Sequence, residues 1–298
     1  MKLHERVVSG RERLELVTEL LHRARLEAPD AEMWEAADLQ WWWRMPRSSD
    51  AIGQRFWVDD DGRPVATVSL TDWSAGGRPA RWGVDPIALP SRADELLEQV
   101  WAAAWPDVLV HANGRVETMV CLDDAPLIAI LDAAGFVPNP EQGAATWMAA
   151  ADRPAIAPLA DGYRLTDRTT DGGLPHPGID RNGPDIAARL ADTSLYRPDL
   201  DLCIRSDTGE IGAYGLFWYD PVTSVGMLEP LRTEDAHQGR GLARHLVTVG
   251  LDRLARLGAT RLKVFQELDN PPAVHLYGSL GFVPTHTTTE YVLELPAD

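Results

Sequence analysis

The segment Val225–Leu246 reads VGMLEPLRTEDAHQGRGLARHL and decides how the rest of the chain is understood. Its first part, Val225–Thr233, has the apolar and β-branched content of a strand. A short polar loop follows, and Gln238-Gly239-Arg240-Gly241-Leu242-Ala243 then opens a helical pattern over 241–257. In that helix Ala243, Val247, Gly250, Leu251 and Leu254 form one apolar stripe, and Gly258 supplies the stop. Glycine lets a backbone turn its amides toward one point. The helix start adds unsatisfied N–H groups and a positive dipole end, so the segment predicts an anion cradle of pyrophosphate size. No Gly-Lys-Ser/Thr follows it, so it is not a P-loop. The glycine spacing is not that of a dinucleotide-binding turn either.

Outward from this segment, strands are predicted at Gly162–Thr169, Leu202–Asp207, Ile211–Tyr219, Arg261–Gln266 and Tyr291–Leu295, with helices over 184–194 and 272–280. The first half gives a similar order. A hairpin joins Arg55–Val58 to Val65–Leu70, a helix covers Ala93–Trp105, a strand Val116–Leu122 and a helix Pro126–Ala134. The two halves end alike: DAPLIAILDAAGFVP at Asp124–Pro138 and NPPAVHLYGSLGFVP at Asn270–Pro284. An offset of 146 aligns Pro126 with Pro272 and Gly135 with Gly281, which predicts a duplicated domain. The stretch 150–162, rich in Ala and Pro and without periodicity, reads as the connection. The expected organisation is a first domain over 1–150, a linker over 151–161 and a second domain over 162–298.

The arrangement Gln-x-x-Gly-x-Ala at 238–243 resembles motif A of the GNAT superfamily of acyl-CoA-dependent N-acetyltransferases. Downstream, Asn270-x-x-Ala273-x-x-x-Tyr277-x-x-x-Gly281-Phe282 is similar to the motif B of that family. The resemblance covers roughly 160–298. It implies an α+β fold of two tandem GNAT-like domains, each a mixed, mostly antiparallel twisted sheet flanked by helices. It also implies acetyl-CoA as cosubstrate. The amides of Gln238, Gly239, Arg240, Gly241, Leu242 and Ala243 would hold the pyrophosphate. The strand end at Leu231, Arg232 and Thr233 would pair with pantetheine, and Asn270 would bond the CoA arm. Tyr277 would lie near the sulfur and protonate the leaving thiolate. Glu229 is the candidate base, with Glu267 and His237 behind it. Direct transfer to an amine needs a base, a polarised carbonyl and a proton for sulfur, and no cysteine intermediate.

At the same offset the first half places Arg92, Ala93, Glu95 and Leu97 opposite Gln238, Gly239, Gly241 and Ala243, and Leu131 opposite Tyr277. The first repeat is therefore expected to keep the fold and lack the cofactor site. It holds ten of the eleven tryptophans, including the run Trp41-Trp42-Trp43. Consecutive helical residues point in different directions, so that run predicts packing, with an aromatic wall for a cationic acceptor as the sharper alternative.

The chain of 298 residues has 28 Lys+Arg against 45 Asp+Glu and a net charge of −17. This argues against a general nucleic-acid binder and docking on anionic membranes, and it reads either as a solvated acidic surface or as a field that draws in a cationic acceptor. Two cysteines, Cys121 and Cys203, give no disulfide framework. No His-x-x-x-His spacing occurs, and no metal is assigned. No apolar leader or 18-residue apolar run is present, so a cytoplasmic enzyme, monomer or homodimer, is expected. The reading is acetyl transfer from acetyl-CoA to a primary amine, one cosubstrate per chain. The alternatives are a longer acyl-CoA donor or a non-catalytic CoA-binding regulatory module.

Overall fold

The structure is a computed structural model and describes residues 3–31, 34–74 and 80–296. In chain order the elements are β1 (His4–Val8), α1 (Gly10–Glu27), α2 (Ala36–Trp42), β2 (Gln54–Val58), β3 (Pro64–Asp72), β4 (Arg81–Ala88), α3 (Ala93–His111), β5 (Arg115–Cys121), α4 (Ala125–Ala133) and β6 (Val137–Ala149). They continue with β7 (Tyr163–Asp167), α5 (Ile179–Asn182), α6 (Ile186–Ala191), β8 (Asp201–Ser206), β9 (Ile211–Asp220), β10 (Val225–Thr233), α7 (Leu242–Leu257), β11 (Arg261–Glu267), α8 (Pro271–Leu280) and β12 (Val283–Glu294). No helix among the described residues is long and apolar enough to cross a membrane.

The chain forms two compact units, and they are not its two halves. The first comprises 1–39, 46–143 and 286–298, and the second 40–45 and 144–285. In the first, the order is β1-β2-β3-β4-β5, then the 286–294 part of β12. All pairs are antiparallel except β4–β5, which is parallel. In the second, the 144–149 part of β6 is followed by β11-β10-β9-β8-β7, with only β10–β11 parallel among the registers from β11 outward. By the repeat, β6 corresponds to β12. Each unit therefore takes, beside its β5 or β11, the last strand of the other repeat.

The offset of 146 holds through β5 and β11 (115 to 261), α4 and α8 (125 to 271), and β6 and β12 (137 to 283). Helices α4 and α8 are capped by the aligned residues Asp124 and Asn270, whose side chains accept from Leu127 N–H and Ala273 N–H. Each helix is followed within two residues by a glycine with positive φ, Gly135 (88°) and Gly281 (100°). Phe136 N–H returns to Leu131 C=O and Phe282 N–H to Tyr277 C=O, so the following phenylalanine folds under the helix. The repeated Gly-Phe-Val-Pro is thus a helix stop with its own apolar plug.

Several expectations change. Helix α3 runs on to His111 through Pro106, because Val108 keeps the buried stripe of Leu97, Val100, Trp101 and Ala104 going. Strand β12 begins at Val283, not Tyr291; its early part is threonine-rich, and the Thr289 hydroxyl is satisfied by the carbonyls of Asn139 and Glu141. The stretch expected as a connection lies on α7 within the second unit. Arg153 pairs with Asp252, Ala157 N–H donates to Thr248 Oγ1, and the Ala157 carbonyl faces His245 Nδ1. Elements β1, α1, α2, β4, β6 and α5 are not anticipated by the sequence pattern.

The tryptophan run belongs to the second unit. Trp41 and Trp43 are buried and Trp42 is half-buried. The Arg189 guanidinium lies 3.5 Å from the Trp43 ring centre and Arg44 lies 4.1 Å from that of Trp41. Arg189 also donates to the Trp43 carbonyl at 2.8 Å. The cations over these two rings come from the protein itself, which corrects the idea of an aromatic wall for an acceptor there.

Candidate active site

The site is built in the second unit where β10 leaves β11. Their parallel register runs only from Val225–Arg261 to Met227–Lys263. Beyond it, β10 stays paired with β9, but the register shifts between Leu228 and Leu231, so Glu229 and Pro230 together oppose Leu216. A bulge re-aims the residues it carries and bends the strand. Here it opens a gap between the 228–233 end of β10 and the 264–267 end of β11. The Trp218 indole N–H donates to the Glu229 carbonyl at 2.8 Å and fixes the bulge from β9. Glu229 itself is half-buried.

The loop after β10 is held by its own side chains. Asp235 accepts from Arg232 at 2.8 Å and from Gln238 Nε2 at 3.2 Å. Arg181 on α5 grips Glu234 through two bonds of 2.9 Å. His237 is half-buried, its Nδ1 2.8 Å from the Tyr163 hydroxyl, and is engaged by β7 rather than left in solvent. Gly239 and Gly241 have φ of 73° and 75°, and a Cβ at either would meet nothing within 4 Å. Backbone conformation, not crowding, therefore demands glycine, and the space above both is open. Gly241 caps α7 without any side-chain hydrogen bond, and the first intrahelical bond is His245 N–H to the Gly241 carbonyl, so the amides of Leu242, Ala243 and Arg244 before it are left for an incoming anion. Arg240 is exposed beside the loop, bonded to the Ala236 carbonyl. These features fit a pyrophosphate.

Helix α8 closes the other side. Asn270 at its start is exposed, and its Oδ1 is committed to the Ala273 amide, so only its amide NH2 is offered to a ligand. Arg244 on α7 donates to Ser279 on α8 and ties the two helices. Tyr277 is 6% exposed, edge-on to Phe282, and part of the core made by Leu242, Leu246 and Val264. Burial first, and then the charge of Glu229, push its phenol well above the ordinary tyrosine range. It is both a core side chain and a phenol that keeps its proton at neutral pH, within electrostatic reach of Glu229. Glu267 is exposed at the end of β11. Gln266 before it is 5% exposed on the face of Leu262 and Val264, with no hydrogen-bond partner for its Oε1. Trp218 is not singled out by the sequence, where it reads as ordinary strand filling.

In the first unit the parallel register β4–β5 likewise ends after three residues, Arg81–Arg115 to Gly83–Glu117. Matching the two registers (81 with 225, 115 with 261) places Asp85-Pro86 opposite Glu229-Pro230. Unlike β10, β4 keeps one unbroken register with β3 across these residues. Asp85 is buried, accepts from the Trp34 indole N–H at 3.2 Å, and has its pKa pushed up to about 7, chiefly by burial. The first unit lacks the bulge as well as the glycines.

A splayed parallel strand pair followed by a glycine cradle at a helix start defines a phosphate-binding α+β domain. Residues 173–282 match the acetyltransferase (GNAT) family. Over that segment the chain is similar to the GNAT superfamily, and its fold as a whole is like that of a tandem GNAT protein. It is 28% identical over 220 residues to a "Mycothiol acetyltransferase" of a Nocardioides species, covering 73% of this chain and 66% of that one. To the protein of the same name from Nocardia farcinica it is 30% identical over 228 residues, covering 74% and 62%. The chain thus matches somewhat under two thirds of the length of these relatives. In structure it superimposes on a tandem GNAT protein from the clavulanic acid biosynthesis pathway with a TM-score of 0.70 and 16% identity, over 100% of both chains. A GCN5-related N-acetyltransferase from Sphaerobacter thermophilus gives 0.62 at 15% identity, over 99% and 96%.

Proposed function

We propose that the protein is an N-acetyltransferase that moves an acetyl group from acetyl-CoA to a primary amine, and that the second unit alone performs the reaction. The observation that carries this reading is the Glu229 bulge on the strand that leads into the Gly239–Gly241 cradle, with Tyr277 near enough to feel the Glu229 charge. Acetyl-CoA supplies the activated thioester. The amides from Gln238 to Ala243 hold its pyrophosphate, and the open edge of Leu231, Arg232 and Thr233 holds its pantetheine arm, with the Asn270 amide group at the rim. An acidic protein has no overall field for a polyanion, so oriented amides and Arg240 supply the local positive potential.

Glu229 takes the proton that the attacking ammonium must lose, and Tyr277 gives its proton to the sulfur. The two steps are coupled through charge. Once Glu229 is protonated, one of the causes that hold the Tyr277 proton is gone, so the phenol becomes a better acid as the amine becomes a nucleophile. The acceptor is a small cation, in keeping with the net charge of −17. A second reading, an acceptor belonging to mycothiol chemistry, rests on the shared name of the relatives. Incubating the protein with acetyl-CoA and a panel of amines, and following free thiol, tests the reaction. Thiol release that depends on one amine supports it, and none with any amine refutes it.

A further inference from the structure

We propose that Cys121, Asp123 and His286 form a binding site for a zinc-class divalent cation in the first unit. One ligand atom from each, a sulfur, a carboxylate oxygen and a ring nitrogen, lie within 4.8 Å of one another. Cys121 ends β5, Asp123 lies in the turn after it, and His286 is on β12, which pairs with β5 from Thr288–Cys121 onward. A sulfur, imidazole and carboxylate set with one position left for water is the donor chemistry of Zn2+. Tetrahedral geometry at ordinary zinc bond lengths needs donors about 3.3–3.6 Å apart. His286 Nδ1 is already 3.8 Å from Asp123 Oδ2, so small side-chain rotations suffice.

The orientation of the histidine is the independent sign of a ligand. Its Nε2 is 3.1 Å from the Asp30 carbonyl. A carbonyl only accepts, so Nε2 carries a hydrogen, and the other ring nitrogen, Nδ1, is the one turned toward Cys121 and Asp123. Metal-binding histidines are held in this way, with the far N–H on a carbonyl or carboxylate. The Cys121 thiol donates to Asp123. On metal binding the S–H bond breaks, its proton passes to solvent and the thiolate becomes a ligand. The cluster is half-exposed, so a cation has access. Bound there, it would pin β12 to β5. No local spacing announces this site, because two ligands come from the end of one strand and the third from a strand far along the chain.

The test uses the full chain stripped with chelator and titrated with Co2+, then with Zn2+ in competition. The expected result is one equivalent of Co2+ with a thiolate-to-cobalt charge-transfer band, displaced by Zn2+. The band is lost in Cys121→Ser, and cobalt affinity falls about tenfold or more in Asp123→Asn. Asp123 is largely exposed, so its substitution leaves the fold intact, as circular dichroism would check. No thiolate band in the unsubstituted protein, or a band that survives Cys121→Ser, would overturn the proposal.

Discussion

Glu229 acts on Tyr277 through its charge: the carboxylate at the β10 bulge adds to burial in raising the phenol pKa of a residue on α8. The state of one side chain is therefore felt at the other.

Tyr277→Phe removes the hydroxyl and keeps the packing against Phe282. Turnover should fall about 100-fold or more, the usual scale for a positioned acid, with acetyl-CoA affinity and thermal stability near those of the parent. Glu229→Gln should lower the pH at which Tyr277 ionises, since a like charge is removed. Ultraviolet titration of Glu229→Gln against the double variant with Tyr277→Phe isolates that phenol. Undiminished turnover in Tyr277→Phe would end the acid assignment.

Gly239→Ala and Gly241→Ala place a Cβ on left-handed backbone without any clash. Each should cost about 1–2 kcal/mol of local conformation and weaken acetyl-CoA binding measured by calorimetry. Asn in place of Gly239 should be milder, since Asn visits that conformation more readily. Equal affinity in both alanine variants would show that the cradle is elsewhere.

Asp85 gives a pH prediction of definite sign. Its ordinary value is 3.8 and in the fold it is pushed up to about 7. Between these values the folded chain keeps a proton that the unfolded chain has lost. Its contribution therefore becomes steadily less favourable as pH rises through that window and is constant above it. Asp85→Asn, which still accepts from Trp34, should raise the denaturation midpoint at pH 8, by roughly 2–4 kcal/mol in stability, and leave it little changed near pH 4. A midpoint lowered at pH 8 would contradict this.

A single equivalent of acetyl-CoA per chain is expected by isothermal titration, because β4 lacks the bulge and the first repeat lacks the glycines. Two equivalents would refute the assignment of one competent unit.

Much of the second unit was legible because its signals are local. Val225–Thr233, the glycines at 239, 241 and 258, and the Asn270 cap each act within a turn or two. The repeat was visible because Gly135-Phe136 and Gly281-Phe282 perform the same stop. The bulge was not visible, since nothing in Glu229-Pro230 differs in kind from Asp85-Pro86. What differs is the register against the neighbouring strand, which is a property of two segments. The offset of 146, constant from β5 onward, shrinks to 144 at β4 and β10 for the same reason. Pairing fixes that alignment, not spacing. The exchange of β6 and β12 was hidden likewise, because either strand satisfies the pattern that either unit requires.

That exchange has a consequence for how the protein is made. Residues 286–294, which complete the first unit, emerge from the ribosome after the whole of 144–285. The first unit cannot close until 286–294 have been made, whereas by residue 285 the second unit already has all of its chain. During synthesis β5 waits with an unpaired edge, the kind of surface that invites misassembly. In this protein the order of folding should run against the order of synthesis.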